Sequence, residues 1–390
     1  MNLVILGSTG FIGRKTIDVV LELNKNVYKE EKIRIVGISA GNNIELLEKQ
    51  ILFLSNKGLG FVCVKNLSDK KLICEKYKKI SFFHGDEGLC YLVSLDSVNK
   101  IVNGLSGFSG LKPTFEAARK GKKILLANKE TIISSGGILL DIIKKNKAEL
   151  YPIDSEHSAI WRCLKGHKKQ EVNRLILTAS GGPFKNQNYC ELENVTAKQA
   201  LNHPKWKMGE KISIDSATMA NKGFEIIEAC YFFNMRADKI ETIIHQESVI
   251  HSMIEFVDGS ISSHMSMPDM KVPIQYALTY PDCEKIKENS VDFKKINKLT
   301  FEEINSETKE FLEIFKSAIK FGSMACCALC TADEEAVKAF LNGRIKFTDI
   351  RKILRLTMEK NEFKKINSLE ELIEANIKFC ETTKKMINSI

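Results

Sequence analysis

Along the first 150 residues, short β-branched runs alternate with stretches whose apolar positions recur every three or four residues. Leu3-Val-Ile-Leu6 reads as a strand, and Ile17, Val20 and Leu21 give the following stretch one apolar helical face. Ile33 to Ile38 predicts a second strand and Ile44 to Leu54 a helix. The runs at 61–64, 100–102 and 123–126 continue the series. Strand–helix alternation at this spacing requires crossover connections, hence a parallel sheet with helices on both faces. Residues 1–150 are expected to form a doubly wound, Rossmann-like α/β domain.

From 151 to 280 the pattern changes. Polar, Gly-rich loops such as Thr178-Ala-Ser-Gly-Gly-Pro183 separate strand-like runs such as Ser248 to Ile254. This predicts a central α+β domain whose loops carry function. Residues 281–300 are Lys-rich with little apolar periodicity and read as a linker. Beyond Pro281 there is no proline and only Gly322 and Gly343. Ser368-Leu-Glu-Glu371 is a capping box ahead of an apolar face at Leu369, Leu372, Ile373 and Ile377. Residues 301–390 are expected to be a C-terminal helical bundle.

Composition narrows the function classes. No apolar run among the 390 residues approaches the roughly 20 needed to span a bilayer. A strand begins almost at Met1 with no charged leader before it, so a cytoplasmic protein is expected. The eleven cysteines are odd in number and irregular in spacing, which fits reduced thiols. Cys327 and Cys330 form a C-x-x-C, but within a run resembling a buried helix and without a second ligand pair. The net charge of +9 comes from scattered lysines with no aromatic-interleaved stripe. That argues against nucleic acid and suits anionic small molecules.

Three segments carry candidate chemistry. Gly7-Ser-Thr-Gly10-Phe-Ile-Gly13 follows a strand and opens a helix, where glycine admits a pyrophosphate to the backbone and the helix N-terminus supplies N–H groups. The second strand ends in Ser39-Ala-Gly-Asn-Asn43 with no carboxylate for a ribose 2′-hydroxyl, which favours NADP. Asp154-Ser-Glu156 follows a strand-like run. If extended, it points both carboxylates to one face, and Glu225 is a third candidate. Three carboxylates without a Cys or His cluster suit a hard divalent ion, Mg²⁺ or Mn²⁺. Ser180, Ser216, Asn221 and Lys222 make a phosphate cradle of hydroxyl, amide and ammonium donors. Trp206, in a polar loop, fits a lid that excludes water. Asn128-Lys-Glu130 falls beyond the carboxyl end of a strand, where doubly wound sheets bind ligands.

Together these motifs resemble the 1-deoxy-D-xylulose 5-phosphate reductoisomerase family. The blocks are GSTGFIG at 7–13, LLANKE at 125–130, PIDSEHSAI at 152–160, SGGPF at 180–184, HPKWKMGEKISIDSATMANKGFEIIEA at 203–229 and SVIHSM at 248–253. The resemblance implies NADPH-dependent rearrangement and reduction of 1-deoxy-D-xylulose 5-phosphate to 2-C-methyl-D-erythritol 4-phosphate, in non-mevalonate isoprenoid synthesis, by a homodimer. It implies that Asp154, Glu156 and Glu225 hold Mg²⁺ or Mn²⁺, and that Ser155 and Lys129 meet the reacting end of the substrate. Ser180, Ser216, Asn221 and Lys222 would bind its phosphate. His203 would also touch substrate, with Trp206 and Met208 in the closing loop at 203–209. Gly7, Thr9, Gly10, Phe11, Ile12, Gly13, Gly41, Asn42, Asn43, Asn128, Glu130 and Gly209 would bind NADPH.

Some positions depart from the family pattern. Phe11 replaces a usual Ser, Asn42 stands where a Lys is often found, and Lys271 replaces a common Arg. Cys330-Thr-Ala-Asp-Glu334 replaces Asn-Ala-Ala-Asn-Glu. There Thr331-x-x-Glu334 reads as a capping box, which makes the change structural. The alternative to an enzyme is a catalytically silent NADP-binding regulatory protein of the same fold. Such a protein would have little use for three carboxylates and a phosphate cradle.

Overall fold

The computed structural model describes the whole chain except residues 26–31, 186, 205, 207 and 286–289 and the side chain of Cys190. The chain divides into two compact units. The first takes residues 1–131, 139–155 and 269–289, and the second takes 132–138, 156–268 and 290–390.

The first unit opens with β1 (Asn2–Leu6), α1 (Phe11–Leu23), β2 (Arg34–Ala40), α2 (Ile44–Ser55), β3 (Phe61–Val64), α3 (Leu67–Cys74), β4 (Ser81–His84) and α4 (Gly85–Ser94). It continues with β5 (Lys100–Asn103), α5 (Leu111–Arg119), β6 (Lys123–Leu126), α6 (Lys129–Asn146) and β7 (Glu149–Pro152). The seven strands form one parallel sheet in the order β4-β3-β2-β1-β5-β6-β7. Strands β1 and β5 are almost wholly buried, as in a sheet covered on both faces. The order reverses between β1 and β5, and that switch point is where open α/β sheets bind ligands.

The second unit takes residues 132–138 of α6, then α7 (Ser155–Cys163) from Glu156 onward, β8 (Val172–Ala179), α8 (Ala197–Ala200), α9 (Glu210–Thr218) and α10 (Ala220–Phe233). Strands β9 (Ile240–Ile244), β10 (Ile250–Phe256) and β11 (Ile261–Met265) follow. The chain then returns to the first unit for α11 (Lys271–Thr279), which packs on α1. There Lys100 Nζ caps the end of α11 by donating to Leu278 O at 2.6 Å. The second unit resumes with β12 (Glu302–Glu303), α12 (Ser306–Phe321), α13 (Ser323–Leu341), α14 (Phe347–Glu359) and α15 (Leu369–Asn388). Its sheet runs β11-β10-β8-β9-β12, with β8 and β9 parallel and the other pairs antiparallel.

Four readings of the sequence differ from this architecture in whole or in part. The segments 151–280 and 301–390 do not part into separate bodies, because Ile304 and Leu312 join Leu175, Leu177, Ile226 and Ile254 in one core. Phe315 of α12 also stacks edge-on against Phe224 of α10 at 5.0 Å. The stretch 281–300 is divided between the units, and its end is anchored where His245 Nδ1 donates to Thr300 O at 2.9 Å. Thr331 caps nothing. It lies buried in mid-α13, and its hydroxyl donates back to Cys327 O at 2.9 Å. Ser368 is the N-cap of α15 as expected, but Glu371 reaches Asn367 N rather than closing the box on Ser368. Among the described residues, no helix is long and apolar enough to cross a membrane.

Candidate active site

In the first unit the glycine loop lies at the β1/β5 switch point. A Cβ at Gly7, where φ is +80°, would stand 2.8 Å from Gly104 O. One at Gly13 would stand 2.3 Å from Gly7 O, so α1 is pressed against the loop. Both positions therefore exclude side chains. Ser39 Oγ accepts from Gly7 N at 3.0 Å, and Ser8 N donates to Ser39 O at 2.7 Å. Gln50 of α2 holds Ser8 through its hydroxyl and its carbonyl. Ser8 and Gln50 went unnoticed in the sequence because nothing in spacing links residue 50 to the loop. Thr9, Phe11 and Ile12 lie on the loop and first turn of α1, and Gly41 and Asn42 follow β2. The Asn43 carboxamide oxygen is committed to capping α2 at Leu46 N.

Asn128, expected at the cofactor, is buried and braces its own loop. Its Oδ1 caps α6 at Thr131 N, while Nδ2 donates to Leu105 O and Gly107 O at 2.9 Å and to Glu130 Oε2 at 3.1 Å. Its polar atoms are thereby taken by the loop it holds. Beside it, Lys129 Nζ pairs with Asp154 Oδ2 at 2.5 Å, with both side chains mostly buried.

The acidic motif is helical from Ser155 rather than extended. Ser155 opens α7 and Glu156 sits in its first turn. The chain can turn there because Asp154 and Ser155 are good helix starters. Glu156 and Glu225 are brought together by Lys222, whose ammonium donates to Glu156 Oε1 at 3.0 Å, to Glu225 Oε2 and to Thr178 O at 2.6 Å. Burial pulls the Lys222 pKa down, but the two carboxylates outweigh it and hold it above the ordinary lysine value. Lys222, expected at a phosphate, thus serves here as the counter-ion of the carboxylates. Asn221 Nδ2 donates to Glu225 Oε1, and Asn221 Oδ1 is buried without a partner. His157 is fully buried and its Nε2 donates to Glu225 O at 3.0 Å, with Glu228 Oε2 3.9 Å from its other ring nitrogen. His157 and Glu228 hold Glu225 in place, a role the quoted motifs contained but spacing did not reveal.

Of the residues expected at a phosphate, Ser180 and Ser216 lie on neighbouring segments, the Ser-Gly-Gly loop and α9. Gly182, with φ +66°, passes so close to α9 that a Cβ would stand 2.9 Å from Ser216 O. Ser180 Oγ accepts from Gly182 N and bonds His203 Nε2 at 3.1 Å. His203 Nδ1 accepts from Trp206 N at 3.0 Å, so the neutral ring carries its proton on Nε2 and donates to Ser180. Burial holds the His203 pKa below the usual histidine value. Trp206 lies edge-on to His251 at 6.3 Å, and His251 is fixed by Ser266 Oγ at 2.9 Å. Met208 is half-buried, and Gly209 is the N-cap of α9. Arg351 of α14 secures the far end of α9 by donating to Thr218 O at 3.0 Å.

Carboxylate oxygens without thiol or imidazole ligands, one of them on the nearly fully buried Glu225, are the donor set of a hard divalent cation. Sequence models of the 1-deoxy-D-xylulose 5-phosphate reductoisomerase family match residues 3–136, and models of its C-terminal domains match 150–233 and 265–381. The reductoisomerase of Caldanaerobacter subterraneus subsp. tengcongensis is 44% identical over 382 residues, 97% of each chain. The chain belongs to the 1-deoxy-D-xylulose 5-phosphate reductoisomerase family. Another reductoisomerase, from Pelodictyon phaeoclathratiforme, is 42% identical over 99% of both chains. A crystal structure of DOX-P reductoisomerase in complex with NADPH, fosmidomycin and magnesium superposes with a TM-score of 0.93 at 33% identity, covering 100% of this chain and 98% of that one. The reductoisomerase from Zymomonas mobilis in complex with NADPH gives 0.90 at 33% identity, covering 100% and 99%.

Proposed function

We propose that this reductoisomerase family member converts 1-deoxy-D-xylulose 5-phosphate and NADPH to 2-C-methyl-D-erythritol 4-phosphate and NADP⁺, using Mg²⁺ or Mn²⁺. The observation that carries the reading is the pair of carboxylates, half-buried Glu156 and buried Glu225, gathered by Lys222 within the family's motifs. Asp154, two residues ahead of Glu156 in the chain, completes the proposed ligand set. When bound, the ion supplies polarisation of the substrate's ketone and adjacent hydroxyl oxygens, and the nicotinamide supplies hydride.

The remaining roles fall to the chain's own groups. Lys129, held by Asp154, offers an ammonium to oxygen charge that develops at the reacting end. Ser155 contacts the same end. Ser180, Ser216 and Asn221 bind the phosphate, and the Lys222 ammonium would be free to join them when Glu156 and Glu225 hold a divalent ion. His203 donates through Nε2 and ties Ser180 to the loop bearing Trp206 and Met208, so phosphate binding and loop closure share one hydrogen-bonded chain. Binding energy from the remote phosphate can then be spent on excluding water. The glycine loop with Gly41, Asn42 and Asn43 receives the dinucleotide, and Glu130 and Gly209 are proposed to contact it.

Purified protein is expected to consume NADPH, read as loss of its near-ultraviolet absorbance, only with substrate and divalent metal together. EDTA and a Glu225→Gln variant should abolish the rate, and NADH should support less. Cofactor binding without turnover under either metal would favour the silent regulatory reading. Sedimentation of the active preparation tests the homodimer.

A further inference from the structure

One buried charged cluster takes no part in the site just described. Lys211 and Asp215 lie one turn apart on α9, and Asp333 comes from the middle of α13. Lys211 Nζ donates to Asp215 Oδ2 at 2.5 Å and to Asp333 Oδ2 at 2.6 Å. Asp215 is 3% exposed and Asp333 0%. The other oxygen of each carboxyl group, Oδ1, is buried with no hydrogen-bond partner. Two carboxylates facing one ammonium leave an excess negative charge in the interior, and burying unpaired charge is costly. A single proton held by the two carboxyl groups together removes that charge and gives the pair a donor that it otherwise lacks.

We propose that Asp215 and Asp333 share one proton and, with Lys211, act as a positioning cluster that clamps α9 to α13 and so fixes Ser216. The carboxyl of Asp215 is accordingly held well above the usual carboxylate range, by burial first and then by Asp333, with Lys211 opposing. The other charged groups on neighbouring elements are engaged elsewhere. Lys222, Glu225 and Glu228 of α10 serve the carboxylate site and His157. Glu334 and Glu335 of α13 pair with Lys338, Lys198 of α8 is exposed, and Arg351 of α14 binds Thr218 O.

The sign of the pH dependence follows. The folded chain keeps a proton that the unfolded chain releases above about pH 4. The stabilisation is therefore complete below that pH and is lost as pH rises through the raised folded value. The assignment of Ser216 to the phosphate rests on the proposed function; the shared proton does not.

The test uses the full chain and Asp333→Asn, which replaces the shared proton with a permanent donor of the same shape. The wild type should show an infrared carbonyl band of a protonated carboxyl group at neutral pH, and the variant should lack it. Melting curves should diverge as pH rises, the variant gaining up to about tenfold in folding equilibrium constant per pH unit. The KM for the phosphorylated substrate should climb with pH in the wild type but not in the variant, with kcat little changed. Should Asp333→Asn fail to fold, Asp215→Asn, with the donor on the other partner, carries the same readouts. Absence of the band together with parallel melting curves overturns the shared proton. A KM that follows the same pH course in both proteins overturns the positioning role. Absence of turnover in the wild type overturns the proposed function and leaves the infrared and melting readouts standing.

Discussion

Lys222→Met isolates the charge that gathers the carboxylates. Methionine keeps the unbranched apolar stem and removes the ammonium. Lys222 and Glu225 have side chains 5% and 1% exposed, and Glu156 has 19%. Removing one partner of a buried ion pair costs about 3–5 kcal/mol because the remaining charge is uncompensated. Water reaches part of Glu156, so the expected loss lies near the lower end, about 3–4 kcal/mol. The folded pKa of Lys222 is raised, so its contribution is complete below about pH 10 and lost only above. The loss is therefore constant through neutral pH. At about 2–4 °C per kcal/mol for a unit of this size, the second unit should melt about 6–16 °C lower. Circular dichroism melts in EDTA, then in Mg²⁺ or Mn²⁺, read both the loss and its rescue. Metal should raise the variant's Tm more than the wild type's, because in the wild type an ion must first displace the ammonium. A variant melting with the wild type in EDTA, or equal shifts with metal, would refute the reasoning.

Two further outcomes follow from the geometry. His203 has a lowered folded pKa, so its acceptor bond from Trp206 N is present at neutral pH and lost as pH falls below about 6.5 through the folded value. With Trp161 replaced by Phe, Trp206 emission should shift to the red on acidification, and His203→Asn should remove that titration; emission flat from neutral to acid pH contradicts the linkage. In α6, Gly136 has φ +21°, and a Cβ there would stand 2.0 Å from the Tyr231 ring. Gly136→Ala should cost about 2–5 kcal/mol from overpacking and backbone strain. A double-mutant cycle with Tyr231→Ala should show coupling above about 0.5 kcal/mol, and additive losses would assign the cost elsewhere.

The parallel domain was legible because most of its strands announce themselves locally, although β4 and the helices on either side of it were not read. Leu3 to Leu6 and the glycines at 7, 10 and 13 lie within one βα unit, so spacing alone placed the loop. What failed was non-local or context-dependent. Thr331-x-x-Glu334 has the composition of a capping box, but only burial against α15 reveals that the helix had already begun eight residues earlier. Asp154-Ser-Glu156 read as extended because the preceding residues are a strand, whereas the cap-forming Asp and Ser start α7 immediately. The union of the central sheet with the C-terminal helices depends on Phe224 meeting Phe315, residues 91 positions apart in the chain. Asn128 and Lys222 were found as polar site candidates, but which partners they hold is a three-dimensional fact. Their donors are already committed, to loop carbonyls in one case and to two carboxylates and the Thr178 carbonyl in the other.

The distribution of thiols has a practical consequence for spectroscopy. Of the ten cysteines with described side chains, Cys63, Cys163, Cys230, Cys326, Cys327 and Cys330 are buried, and Cys283 is the one classed as exposed. Burial pushes Cys63, Cys230 and Cys327 up to about 12, so little reactive thiolate exists there at the pH of maleimide coupling. Among these ten thiols, a fluorophore or spin label should therefore attach first at Cys283, ahead of Cys74, Cys90 and Cys380. Alanine suits the buried sites of α13 better than serine, whose hydroxyl would need a partner in the helix packing. The unmodified chain thus comes with a handle just past α11, available without disturbing the residues proposed to do chemistry.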